Sequence, residues 1–250
     1  MKTIISGEQI VKSFGAGDEQ VRVLDGVSVE IGEGEFVSVM GPSGSGKSTL
    51  MYALSGMDGI DSGWIRFDGR DLSSLREQEL ADLRRTRMGF VFQQPTLLKN
   101  LNLLDNIILP SMRDNRKNAA ALVEKARALM KKTGIAELEK RDTAQVSGGQ
   151  LQRAGICRAL MGSPRVIFGD EPTGALNSAA AAEIMELLAG INAEGTTVVL
   201  VTHDAKVAAR TGRILFMHDG QIVSELRLPQ SGSAEDRIKT VALRMQELGI

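Results

Sequence analysis

The chain has 250 residues, of which 42% are hydrophobic and 24% charged, with a formal net charge of -1. That is the composition of an ordinary water-soluble globular protein, and it offers no overall basic field to draw in nucleic acid. Its one cysteine, Cys157, excludes an internal disulfide and a multi-cysteine metal site.

In chain order, Met1-Lys2-Thr3-Ile4-Ile5 runs at once into Ser6, Gly7, Glu8 and Gln9, so no signal-peptide core forms there. Residues 4–11 and 21–31 are predicted strands, the second carrying Val21, Val23, Val27, Val29 and Ile31 largely in alternation. A third, apolar strand, Phe36-Val37-Ser38-Val39-Met40, leads straight into Gly41-Pro42-Ser43-Gly44-Ser45-Gly46-Lys47-Ser48. This octapeptide fits G-x-x-x-x-G-K-[ST] and is followed by a predicted helix from Thr49 to Leu54. Strand, glycine-rich loop and helix are together the context that a phosphate-binding loop requires. Its glycines let successive N–H groups turn inward toward phosphate oxygens. Lys47 then reaches the β- and γ-phosphates, and the Ser48 hydroxyl takes a Mg²⁺ position. The chain is read as binding a nucleoside triphosphate.

Residues 63–67 form another predicted strand, closed by an Asp68-Gly69 turn. Residues 75–87 are charged and helical; their cluster Arg84-Arg85-Thr86-Arg87 is either a solvated face or a contact for phospholipid or a partner. Residues 88–92 are a short strand ending in Gln93-Gln94-Pro95. From 97 to about 143 the pattern turns helical, most clearly over 118–133. The parallel-sheet pattern then resumes with strands at 166–168, 196–201 and 213–217 and helices between them. A hairpin around His218-Asp219-Gly220, a linker over 229–233 and a helix over 234–248 complete the reading, with Ser233 and Asp236 at the helix start. In that helix Ile238, Val241, Met245 and Leu248 share a face that docks on something. No stretch approaches the roughly 18 apolar residues of a membrane span, so the chain is expected to be cytosolic and any span to come from another subunit. Cys157 is read as a small apolar residue on a packed helix.

The inserted helical block ends in Val146-Ser147-Gly148-Gly149-Gln150-Leu151-Gln152-Arg153. This resembles the signature of ATP-binding-cassette ATPases, LSGGQ-x-QR, with Val146 in place of the common leucine. The other motifs arrive in the family's order and spacing, so the resemblance covers nearly the whole chain. It implies an α/β P-loop core with an antiparallel β subdomain and a helical subdomain inserted at about 96–160. The cassette would span 1–228, with 229–250 as linker and C-terminal helix. Ser147, Gly148, Gly149 and Gln150 open a helix whose unpaired N–H groups favour an anion. The resemblance implies that this site closes on the γ-phosphate held by a second copy of the chain, in an ATP-sandwich dimer.

Further correspondences follow from the resemblance. Val166-Ile167-Phe168-Gly169-Asp170-Glu171 is an apolar strand ending in two acids, with Asp170 holding Mg²⁺ and Glu171 deprotonating the attacking water. Gln93 corresponds to a glutamine that touches Mg²⁺ and that water and hinges the helical block, with Gln94 as its neighbouring rival. His203, in Val201-Thr202-His203-Asp204, corresponds to the switch histidine at the γ-phosphate; His218 is read as simply exposed. Phe14 stands where an aromatic stacks on adenine, the alternative being core packing. The catalytic set is therefore Lys47, Gln93, Glu171 and His203. Phe14, Gly41, Ser43, Gly44, Ser45, Gly46, Lys47, Ser48 and Thr49 bind ATP, and Ser48, Gln93 and Asp170 serve the metal. Asn177 is a departure, since the family usually has aspartate there; asparagine keeps an acceptor but loses the charge.

The segment 89–110, the insertion at 15–20, the stretch 170–178 and the added helix resemble one branch of the family. That branch serves lipoprotein release, macrolide export and bacitracin-type peptide resistance. The implied role is an ATPase on the cytoplasmic face of the membrane, driving a separate permease that exports or removes an antimicrobial peptide, lipid or other amphipathic compound. The alternative is an ATPase of a membrane signalling complex without net transport. No nucleic-acid partner is expected.

Overall fold

In the computed structural model the described residues are 2–15, 17–115, 118–229 and 232–250. Within the expected insertion at 15–20, Ala16 lies outside them, as do Gln230 and Ser231 of the expected linker. Two sheets and eight α-helices are present among these residues.

The first sheet has the order β2-β1-β4-β5 and is antiparallel throughout. It is built from β1 (Thr3–Phe14), β2 (Val21–Gly32), β4 (Ser62–Phe67) and the two-residue β5 (Arg70–Asp71). β1 runs three residues further than the hydrophobic alternation indicated, because Lys12, Ser13 and Phe14 continue to pair with β2 through several register shifts.

The second sheet has the order β10-β9-β3-β8-β7-β6. It comprises β3 (Phe36–Met40), β6 (Met88–Phe92), β7 (Val166–Asp170), β8 (Thr197–Val201), β9 (Arg213–His218) and β10 (Gln221–Arg227). All neighbours are parallel except the β9–β10 hairpin at the edge. Every residue of β3 and β8 is buried, as expected for central strands covered on both faces. Alternate side chains serve different cores. Val37, Val39, Val199, Val201 and Phe168 join a cluster with the first sheet and helix α1 (Lys47–Leu54), whereas Phe36, Val198, Leu200 and Ile167 pack on helix α6 (Ser178–Ala193). Helix α1 is thus held between the two sheets by Leu50, Met51, Ala53 and Leu54.

Helix α2 (Glu77–Arg87) buries no residue and is laced with ion pairs, Arg84–Glu77 and Arg85–Asp82 among them. Its basic cluster is therefore largely internally neutralised. Between β6 and β7 the chain leaves the sheet to build α3 (Leu103–Asn115), α4 (Ala119–Lys132) and α5 (Gly148–Leu160). These share a core of Leu103, Ile107, Ala126, Met130, Ile135, Ala154, Cys157 and Met161. The short helix α7 (Ala205–Ala208) follows β8, and α8 (Ala234–Leu248) closes the chain. The apolar face read from the sequence docks as expected. Val241 is fully buried and Ile238, Met245 and Leu248 pack beside it on Ala208, Ala209, Ile214 and Phe216. Burial of Val241 alone is worth roughly 1.5–3 kcal/mol.

Candidate functional site

Four neighbouring parallel strands, β3, β8, β7 and β6, end on the same edge of the second sheet. In open parallel sheets, ligands bind at that carboxyl edge. β3 delivers the glycine-rich loop, β8 is followed by Thr202-His203, β7 ends in Asp170-Glu171, and β6 is followed by Gln93. Residues far apart in sequence become neighbours because the strands that precede them are neighbours.

At the end of β3 the loop wraps into α1, whose N-cap is Gly46 in a left-handed conformation at φ 96°. A Cβ there would sit 2.7 Å from the Val23 carbonyl oxygen, so the tight approach of β2 requires glycine. Lys47 is buried, 8% exposed, and its Nζ donates to the Pro42 carbonyl at 2.7 Å. Burial pulls the Lys47 ammonium below its usual pKa, against the raising effect of the Glu171 and Asp170 charges. Among the described residues the buried Ser45 Oγ finds no hydrogen-bond partner. Together with the first-turn N–H groups of α1, which have no intrahelical acceptor, this set of donors suits a polyphosphate.

At the end of β7, Asp170 is held by both oxygens. Oδ1 accepts from Ser48 Oγ at 2.9 Å and Oδ2 accepts from Tyr52 Oη at 2.7 Å. Burial and then the Asp170 contact push the Tyr52 phenol up to about 12, so the hydroxyl is a permanent donor at neutral pH. Glu171 adopts φ 48°, unusual for a side chain of its size, and its N–H donates to Val201 O at 2.9 Å. This fixes the carboxylate beside β8, where Oε1 lies 2.7 Å from His203 Nδ1. Backbone outliers of this kind gather at functional sites.

Phe14, Val23, Ser43, Gly44, Gly46, Lys47, Ser48, Thr49, Gln93, Glu171 and His203 line a single cleft of about 780 Å³. Gln93, and not Gln94, is in the lining. Phe14 is 46% exposed at the rim, with Lys12 Nζ 5.1 Å from its ring centroid, so the core-packing alternative does not hold for it. Gly41, Ser45 and Asp170 are not in the lining, and Asp170 joins it through the Ser48 hydroxyl. Ser147, Gly148, Gly149 and Gln150 are not in the lining either. They form the start of α5, where Ser147 and Gln150 cap each other reciprocally at 3.3 and 2.8 Å. Further along α5, Gln152 Nε2 donates to Phe92 O at 2.9 Å and Arg158 donates to Thr96 O at 2.7 Å. Asn177 is the N-cap of α6, its Oδ1 accepting from Ala180 N at 2.9 Å.

Three contributors were not singled out from the sequence. Tyr52 stands four residues after Ser48, one helical turn on, a spacing that places both on one face of α1. Val23 lines the cleft from β2. Gly174 leaves the space that Gln93 occupies, since a Cβ there would meet Gln93 Nε2 at 2.9 Å. Among the described residues no group of three or more His, Cys, Asp or Glu forms a cage for a metal. A hydroxyl and a carboxylate oxygen side by side, next to a phosphate loop, fit Mg²⁺, which takes few protein ligands and completes its shell with phosphate and water.

Residues 24–174 match the family model described as ABC transporter. The chain belongs to the ABC transporter family. Among the curated members of that family, the macrolide export ATP-binding/permease protein MacB of Aggregatibacter actinomycetemcomitans is 40% identical over 231 residues. The match covers 92% of this chain and 36% of that protein. MacB 1/2 of Paracoccus denitrificans is 45% identical over 216 residues, covering 86% and 32%. The chain thus spans about a third of the length of the curated relatives it matches. Among solved ABC cassettes, a dimeric post-hydrolysis state of MJ0796 bound to ADP and Pi superposes with a TM-score of 0.83 at 37% identity. It covers 91% of this chain and all of that one. The ADP conformation of MJ1267 superposes with a TM-score of 0.83 at 28% identity, covering 100% and 98%. The fold is therefore that of an ATP-binding cassette, an ATPase domain with mixed sheets and an inserted helical block, and its similarity to MacB lies in the macrolide-exporter branch.

Proposed function

We propose that this chain binds Mg²⁺-ATP in the cleft at the carboxyl edge of the second sheet, hydrolyses it, and drives a separate membrane permease. The observation that carries this reading is the convergence of Lys47, Ser48, Gln93, Asp170, Glu171 and His203 around one cleft with Phe14 at its rim. In this reading Phe14 stacks on the adenine ring. The loop from Gly41 to Gly46, with Thr49 at the helix start, cradles the phosphates, and Lys47 leaves the Pro42 carbonyl to bond the β- and γ-phosphate oxygens. Its depressed pKa fits an amine that gains an anionic partner on binding.

Ser48, Asp170 and Gln93 would hold Mg²⁺, which neutralises charge on the phosphate oxygens. Glu171 accepts a proton from the water whose oxygen bonds the γ-phosphorus in line as the bond to the β–γ bridging oxygen breaks and ADP leaves, while Lys47 stabilises the charge on the phosphoryl oxygens. His203 first orients the Glu171 carboxylate through its 2.7 Å contact. It then serves the γ-phosphate with the other ring nitrogen.

Ser147, Gly148, Gly149 and Gln150, absent from the lining of their own cleft, belong in this reading to the site of a second copy. The dimeric MJ0796 cassette supports that arrangement. Residues 1–228 act as the cassette, with about 96–160 as the helical subdomain, and 229–250 are an addition to it. No described helix is long and apolar enough to cross a membrane. In this reading the cassette works at the cytoplasmic face of a permease whose membrane spans lie outside the described residues. The likeness to macrolide export ATP-binding/permease proteins supports an exported or extracted amphipathic compound as cargo.

The test is a phosphate-release assay on the purified chain with and without Mg²⁺, alongside capture of native membrane complexes through a tag on this chain. Mg²⁺-dependent turnover and a co-purifying permease are expected. Turnover without a membrane partner would overturn the transport role, and no turnover even in the complex would overturn the ATPase assignment.

A further inference from the structure

The guanidinium of Arg237, in the first turn of α8, donates to three main-chain carbonyls. Nε reaches Ala209 O at 2.8 Å, Nη2 reaches Thr211 O at 2.8 Å and Nη1 reaches Pro229 O at 2.6 Å. Ala209 is the C-cap of α7. A guanidinium that places one N–H on each of three carbonyls, with Ala209 and Thr211 at and just past the end of α7, caps that end with both hydrogen bonds and charge. α7 has only four residues and cannot hold its own geometry by internal hydrogen bonds. Its position therefore comes from what surrounds it.

The N-terminal end of α7 is two residues from the site. Asp204 is its N-cap, accepting from Lys206 N at 2.7 Å, and the residue before Asp204 is His203. The apolar face of α8 presses on Ala208 and Ala209 through Ile238, Val241 and Met245. A second line of bonds runs inward. Thr211 Oγ1 donates to Ala208 O at 2.8 Å and lies 3.0 Å from Ser38 Oγ, on the strand that feeds the phosphate loop. The segment from His203 to Thr211 is thus gripped at its far end by both α8 and β3.

We propose that Arg237 is a positioning residue for His203: α8 is a strap that fixes α7 and, through it, the histidine opposite Glu171. The proposal rests on the ATPase reading above and concerns catalytic alignment, not nucleotide affinity, because Arg237 touches no residue that lines the cleft.

The experiment compares wild-type chain with Arg237→Ala and Arg237→Lys by steady-state phosphate release and by amide hydrogen exchange of the folded proteins. Arg237→Ala is expected to lower kcat about three- to tenfold while KM for ATP stays within about twofold, a loss typical of geometry and not of binding. Exchange should rise in peptides covering 205–212 while peptides from β3 and β8 keep wild-type protection. Arg237→Lys, which keeps the charge and part of the donor set, should recover some of the loss. Unchanged kcat and unchanged exchange at 205–212 would overturn the proposal. So would a uniform rise in exchange with KM and kcat both altered, since that marks general destabilisation. If wild-type chain shows no turnover either alone or in its membrane complex, the ATPase reading fails instead, and the exchange comparison still reports whether Arg237 holds α7.

Discussion

His203 Nδ1 lies 2.7 Å from Glu171 Oε1, joining the first residue after one parallel strand's end to the second residue after its neighbour's. The pair spans the β7–β8 ladder and is held from below by the Glu171 N–H to Val201 bond. Glu171→Gln keeps the shape and the hydrogen bonding but removes the base. Phosphate release is expected to fall roughly 10²–10⁴-fold, with ATP still bound and the dimer retained in its nucleotide-bound form. Single-turnover kinetics with sizing in ATP would check both, and a wild-type rate would mean that another group takes the proton.

Tyr52 makes a second case of indirect control. Its hydroxyl occupies Asp170 Oδ2 while Ser48 occupies Oδ1. A hydrogen bond to a charged group is worth about 1.5–3 kcal/mol, so Tyr52→Phe should let the carboxylate swing. The half-saturating Mg²⁺ concentration is expected to rise about three- to tenfold, with kcat at saturating Mg²⁺ nearly unchanged. The check is an ATPase titration against free Mg²⁺. A fall in that concentration would show that Tyr52 competes with the ion instead of aiming its ligand.

Asn177 stands where the family usually carries aspartate, and the structure gives it a local task as N-cap of α6. Asn177→Asp keeps the accepting oxygen and adds an anion at the helix N-terminus, a gain of roughly 0.3–1 kcal/mol. Asn177→Ala loses the cap and about 1 kcal/mol. Thermal unfolding should therefore rank Asp at or above wild type and Ala below it. Turnover of Asn177→Asp is expected to stay within about tenfold of wild type. A larger change would tie this position to the catalytic cycle and not to the helix.

Cys157 sits among the three helices of the inserted block with its Sγ 3.1 Å from Thr133 Oγ1. Burial pushes its thiol up to about 11, against the lowering effect of the Thr133 contact and the Arg153 charge. The folded state holds this proton more tightly than the unfolded chain does. Its contribution to stability is therefore intact below about pH 9 and is lost as pH rises from there through 11. The urea midpoint of wild type should fall relative to that of Cys157→Ala between pH 9 and 10.5. At pH 8 a thiol reagent should label the protein in urea and leave the native protein unmodified.

Local order was legible in the sequence wherever one residue pattern dominated. The run from Phe36 to Ser48 shows strand, loop and helix without ambiguity, and the apolar stripe Ile238, Val241, Met245 and Leu248 foretold a docked helix. Contacts that depend on strand order were not legible. Nothing in the spacing of Phe92, Asp170 and Val201 says that they sit on three consecutive strands, yet that adjacency brings Gln93, Glu171 and His203 to one cleft. The reach of β1 to Phe14 was missed because bulges interrupt the period-two pattern on which strand reading depends. Tyr52 was readable only as part of a helix, because its partner Asp170 is 118 residues away.

The bond from Gln152 to the Phe92 carbonyl, with Arg158 on Thr96 beside it, bears on how such cassettes can be recombined. An exchange of helical blocks between relatives that cuts the chain at residue 97 would separate residues 92–96 from the helix to which they are fastened. The graft boundary belongs on β6, ahead of Phe92. Cut there, the donor's glutamine loop and signature helix travel as one inherited unit.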